Sequence, residues 1–125
     1  MELKELKRLM VGDWVYNTFN KKYEQVQQIL ESGVMLDYND IYSADEIEPV
    51  KLTPEILKRN GFTALQFYSE LVISNKNEHT HVMWDGSHLT AKKMGRGTIE
   101  LARCYYVHQL QQALRQLEIE KEIKL

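Results

Sequence analysis

The chain has a single cysteine, Cys104, in 125 residues, so no disulfide can form within it, which fits a reducing compartment. No apolar run approaches the roughly 18 residues that a membrane-spanning helix needs. The first residues, Met1-Glu2-Leu3-Lys4-Glu5-Leu6-Lys7-Arg8, lack the apolar stretch of a secretory signal. Neither sign of charge is in large excess: 16 Lys and Arg against 18 Asp and Glu give a formal net charge of -2. The global field therefore offers no pull towards nucleic acid or an anionic membrane, and only a local patch could supply one. No internal repeat and no low-complexity segment is visible, and prolines number two and glycines six. The expectation is a cytoplasmic protein with no membrane partner.

What is present is an ordinary globular composition, 43% hydrophobic and 27% charged. The length fits one domain, residues 1–125, with enough surface to bury a real core. The best-punctuated stretch runs from Leu52 to Phe62. Thr53 is a helix cap, Pro54 suits the first helical position, and Gly61 suits the left-handed stop. Glu55 at the start and Lys58 and Arg59 at the end complement the helix dipole. This stretch, 52–62, reads as a helix connecting two differently patterned parts.

Before it, residues 3–9 suggest a short helix. Residues 11–51 carry short apolar segments broken by polar turns: Trp14-Val15-Tyr16, Tyr23 to Leu30, Val34 to Tyr38, Ile41 to Ser43 and Ile47 to Val50. Val34, Leu36 and Tyr38 share one face of their strand, and Pro49 marks an edge strand. The spacing predicts an SH3-like small barrel or a curled sheet. After the helix, residues 63–125 predict an antiparallel meander packed with a C-terminal helix. Residues 64–74 match both a strand and a helix, and the strand is the favoured reading. Thr80 to Trp84, Asp85-Gly86 and Ser87 to Lys93 form the clearest hairpin, with Asp85 and Gly86 as its central pair. Tyr106, Leu110, Ala113 and Leu117 mark an amphipathic helix, widened by Val107 and Leu114. The fold class is α+β.

Three segments come in a recognisable order: Gly12-Asp13-Trp14-Val15, Ile47 to Leu57 with Gly61-Phe62, and Tyr106-Val107-His108-Gln109-Leu110-Gln111. In this the chain resembles a family of small uncharacterised proteins of Bacteroidetes-type bacteria, their phages and mobile elements. The resemblance implies a phage or mobile-element setting. It brings no activity and no catalytic residue. Gln112 to Leu117 departs from the family's aromatic-rich continuation, which implies a longer last helix.

Four groups of residues carry candidate chemistry. His79 and His81 alternate on one strand, and His88 lies across the hairpin, so the three could approach one metal ion. A solvated hairpin face is the plainer reading. Lys92, Lys93, Arg96 and Arg103 surround a glycine-containing turn that could contact phosphate or nucleic acid, although no P-loop pattern is present. His108 stands beside Tyr105, Tyr106 and Gln109 as a possible general base. Cys104 precedes the last helix next to Arg103, and a small core thiol is its ordinary reading. No cofactor motif and no set of catalytic residues emerges. The leading expectation is a non-enzymatic binding protein that engages another protein or itself. A nucleic-acid-binding factor is the alternative, and a small-molecule-binding protein or small enzyme comes third.

Overall fold

The computed structural model describes residues 1–75, 78–93 and 97–125. Its contacts divide the chain into two units. One comprises Met1–Lys51 with Tyr106–Gln112, the other Leu52–Tyr105 with Ala113–Leu125. The class is α+β, with short helices and antiparallel sheets.

The first unit opens with α1 (Leu3–Leu6), which ends sooner than the stretch 3–9 suggests. Strands β1 (Trp14–Asn17), β2 (Lys22–Gln25), β3 (Gln28–Ile29), β4 (Gly33–Met35), β5 (Ile41–Ser43) and β6 (Ile47–Pro49) follow. They form two three-stranded antiparallel sheets, ordered β2-β1-β6 and β3-β4-β5. A barrel or curled sheet was the expectation; among the described residues neither sheet closes into a barrel. Strand alternation sends Val15 and Asn17 inward from β1. Leu6, Leu9, Val15, Val26, Val34, Leu36, Tyr42 and Ile47 make one buried apolar cluster. Pro49 lies on β6, an edge strand, where its missing N–H breaks no ladder. Tyr38 does not extend the face of Val34 and Leu36. It sits in a tight turn over Asp37–Asn39, where Tyr38 (φ +67°) and Asn39 (φ +63°) are both left-handed.

The second unit starts at α2 (Pro54–Arg59). Thr53 Oγ1 accepts the Ile56 N–H at 3.2 Å, and Gly61 takes φ +90°, so both punctuation marks act as the residue types dictate. Strands β7 (Thr63–Ala64), β8 (Ser69–Asn75), β9 (Glu78–Trp84), β10 (His88–Lys93) and β11 (Gly97–Arg103) form a five-stranded antiparallel sheet in sequence order. The ambiguous stretch 64–74 thus becomes mostly β8. Inward positions Leu71, Val82, Trp84, Leu89 and Ala91 are buried. The Trp84 indole N–H donates to the Cys104 carbonyl at 2.7 Å, which satisfies its one polar atom inside the core.

The β9–β10 turn lies one residue later than the Asp85-Gly86 reading placed it. Asp85 pairs with His88 (Asp85 N–H to His88 O, 3.2 Å), leaving Gly86 and Ser87 at the tip. Gly86 takes φ +106°. The Asp85 carboxylate accepts the N–H groups of His88 (2.7 Å) and Ser87 (2.9 Å), and these bonds hold its pKa below the ordinary value.

Helix α3 (Val107–Gln116) buries Val107, Leu110, Gln111 and Leu114. Its inward stripe is therefore centred away from Tyr106, Ala113 and Leu117. Residues up to Gln112 belong to the first unit and those from Ala113 to the second. The helix does not run on: Glu118 takes φ +59°, and the tail extends beyond it. Asn60 fastens that tail. Its Nδ2 donates to Lys124 O at 2.8 Å, and its Oδ1 accepts from Lys124 N at 2.7 Å. Among the described residues no helix is long and apolar enough to cross a membrane.

Candidate functional site

Strand alternation sorts the second unit's candidate residues onto two faces. On β9, Thr80, Val82 and Trp84 are buried, so His79, His81 and Met83 take the outer face. Register puts Lys92 opposite His81 and Lys93 opposite Thr80. The adjacent lysines thus diverge. Lys92 joins the histidine side, whereas Lys93 lines a different cavity with Thr80 and the segment from Leu117 to Glu120. Arg103 stands opposite His88 at the far end of the β10–β11 ladder, and Arg96 lies outside the described residues.

His81 is the best-anchored of the histidines. Its Nδ1 is 2.5 Å from Glu70 Oε1 on β8, with side-chain exposures of 38% and 20% for the two partners. A carboxylate only accepts, so Nδ1 carries the proton and Nε2 is presented outward. His79 Nδ1 instead meets Ser74 Oγ at 2.7 Å, and His88 Nδ1 meets Ser87 Oγ at 2.9 Å. Each histidine has its own local partner. Among the described residues no group of three His, Cys, Asp or Glu side chains is placed to hold a metal ion.

The convergence that does occur joins one residue from the histidine group to one from the basic group. Tyr68, Glu70, His81, Met83 and Lys92 border a cavity of about 320 Å³. Sequence reading missed Glu70, Tyr68 and Met83. The β8–β9 register (Glu70 opposite Met83, Val72 opposite His81) reveals Glu70 and Met83, and Tyr68 just before β8 completes the lining.

His108 and Cys104 offer less. The His108 ring stacks on Tyr106 at 5.7 Å and 7°. Burial pushes its pKa below the ordinary value, against a smaller opposite pull from Asp13 and Glu5. Its Nδ1 is buried and has no hydrogen-bond partner among the described residues. The Cys104 thiol is buried, which pushes its pKa up to about 12. Such a thiol supplies no thiolate nucleophile near neutrality.

The first unit presents an aromatic surface. Tyr38 is 81% exposed, Phe19 72% and Ile41 62%. Lys22 Nζ lies 4.8 Å from the centre of the Tyr38 ring. Tyr16 and Tyr23, opposite each other on β1 and β2, meet edge to face at 5.5 Å. Phe19 approaches Tyr42 at 6.3 Å, and the Tyr42 hydroxyl accepts from Asn20 Nδ2 at 2.8 Å. The Asp37 carboxylate fixes the loop beneath Tyr38, accepting from Gln25 N at 3.3 Å and Gln27 Nε2 at 3.1 Å. This unit carries ten Asp and Glu against six Lys and Arg. Exposed rings are costly to leave in water and are the side chains that carry binding energy at interfaces.

Comparisons with protein-family models, with curated proteins and with solved structures give no match.

Proposed function

We propose that this protein is a non-enzymatic binding protein, and that the aromatic surface of its first unit engages a basic segment of another protein. The observation that carries this reading is Tyr38, 81% exposed at φ +67° and lying beneath a lysine ammonium. A left-handed tyrosine is uncommon, and here its ring already accepts a cation from its own chain. An arginine or lysine of a partner could take the place of Lys22, while Phe19 and Ile41 supply apolar area beside it. The excess of acidic residues in the same unit complements such a partner. An SH3-like architecture for this unit and a phage or mobile-element setting belong to the same proposal. The nucleic-acid reading gains less, because the diverging Lys92 and Lys93 do not act as one patch.

The test is a titration of the full chain with an arginine-rich peptide, followed by nuclear magnetic resonance, beside a single-stranded oligonucleotide. The peptide is expected to shift resonances of Lys22, Tyr38 and Phe19 saturably. Tyr38→Ser and Phe19→Ser should each weaken it about tenfold, a loss of roughly 1.4 kcal/mol. Tighter binding of the oligonucleotide, or equal peptide binding by both variants, overturns the proposal.

A further inference from the structure

We propose that the cavity bordered by Tyr68, Glu70, His81, Met83 and Lys92 binds a small organic anion: a planar apolar body bearing one carboxylate or phosphate group. This site lies wholly within the second unit and stands independently of the aromatic surface.

The donors without a partner favour an anion. One oxygen of Glu70, Oε1, has its partner in His81 Nδ1. Lys92 Nζ makes no ion pair or hydrogen bond among the described residues, and the same holds for the Tyr68 hydroxyl and His81 Nε2. The hydrogen-bond donors still unmet at the cavity are therefore an ammonium and a hydroxyl, beside an imidazole nitrogen and the second oxygen of Glu70. Two of these can donate to an acidic oxygen, and the imidazole can as well when protonated.

The walls select the rest of the ligand. The Tyr68 ring and the Met83 thioether form apolar surface, and methionine adapts readily to a flat aromatic face. The volume of about 320 Å³ is near the lower limit for ligand pockets, equal to roughly ten water molecules. That suits a single ring with one acidic group and is too small for a dinucleotide. Position adds rigidity, since Glu70, His81 and Lys92 stand on three adjacent strands, each at a position paired on both sides. The cavity that Lys93 lines, about 530 Å³, holds two acidic residues, Glu118 and Glu120, against the single Glu70 here, whose one oxygen His81 occupies.

The experiment titrates the full chain with phenyl phosphate and with benzoate, following the His81 ring and Met83 methyl resonances. Inorganic phosphate and benzyl alcohol serve as probes lacking the ring and the charge. Saturable shifts are expected for at least one aromatic anion, with a dissociation constant on the order of millimolar. The tighter of the two identifies the acidic group. Lys92→Gln should weaken binding at least about tenfold with the amide spectrum otherwise unchanged, and Lys93→Gln should leave it as it was. The proposal is overturned if neither aromatic anion saturates, if benzyl alcohol or inorganic phosphate binds as tightly, or if Lys93→Gln weakens binding as much as Lys92→Gln.

Discussion

Gln111 takes the backbone N–H of Trp14 on its side-chain oxygen at 2.8 Å, across 97 positions of sequence. The other end of the same amide donates to the Gly12 carbonyl at 3.0 Å, so one side chain pairs with backbone on both sides of Asp13. Gln112 completes the clamp, donating to Arg8 O at 2.9 Å and Asp13 Oδ2 at 2.8 Å. In the same unit Val107 N donates to Val50 O at 2.8 Å, and Lys51 bridges to Tyr106. Within the first unit, residues 12–15, 50–51 and 106–111 are therefore joined through backbone bonds and a glutamine.

The clamp makes Gln111 expensive to replace. Gln111→Leu keeps the volume roughly constant and takes the side-chain acceptor away from the Trp14 N–H where little water reaches, whereas the Gly12 carbonyl keeps Gln25 Nε2 at 3.0 Å. Taking the acceptor from a buried donor costs about 1–3 kcal/mol. The urea midpoint should fall by the corresponding amount with the slope unchanged. Gln111→Glu should do no better, because its carboxylate would face the Gly12 carbonyl. A midpoint equal to that of the parent would show that the Trp14 N–H does not depend on Gln111.

His108 should give stability a pH dependence of known sign. Burial depresses its folded-state pKa below the ordinary 6.5, so the unfolded chain binds the proton first as pH falls. Stability is then complete above the unfolded value and declines as the pH drops through it, until the folded-state pKa is also passed. His108→Gln cannot take up this proton. Its urea midpoint should vary less between about pH 7 and pH 5 than that of the parent. Identical slopes for the two proteins would remove His108 as the source.

Cys104 should resist thiol reagents in the folded state. Its thiol is 2% exposed, and burial holds its pKa near 12. Labelling by a disulfide reagent at neutral pH should follow the rate of unfolding and accelerate in urea. Immediate stoichiometric labelling of native protein would contradict the burial.

Two glycines should fail for different reasons when changed to alanine. At Gly33 a Cβ would stand 2.3 Å from the Tyr42 carbonyl oxygen, so β4 and β5 would have to separate. Crowding of that kind costs about 1–3 kcal/mol. At Gly86 nothing lies within 4 Å, but φ is +106° and the residue must be strained there, at about 1 kcal/mol. Calorimetry of the two variants should show the larger fall in Tm for Gly33→Ala.

Local chemistry explains what could be read from sequence. The cap at Thr53, the stop at Gly61 and the β9–β10 hairpin each depend on residues within a few positions of one another. The hairpin tip shifted by one because the Asp85 carboxylate took the N–H groups that a two-residue Asp-Gly turn would have left to the backbone. The inward stripe of α3 was read in part: Val107, Leu110 and Leu114 are buried, but Gln111 looks polar and joins them, and only a backbone partner 97 positions away makes that burial affordable. The cavity was half legible. His81 and Lys92 were noticed for unrelated reasons, but Glu70 and Tyr68 carry no local signal of proximity to either.

The Gly86–Ser87 tip also fixes which lysine faces which side. Register assigns Lys92 to His81 and Lys93 to Thr80, and side chains alternate strictly along the strand. Losing one residue at the tip would slide β10 past β9 and exchange the two lysines. The cavity would then receive Lys93, and Lys92 would swing to the side of the sheet that packs the core. A two-residue turn thus works as a counter for the whole sheet face, and its length is a chemical parameter of a cavity it never touches.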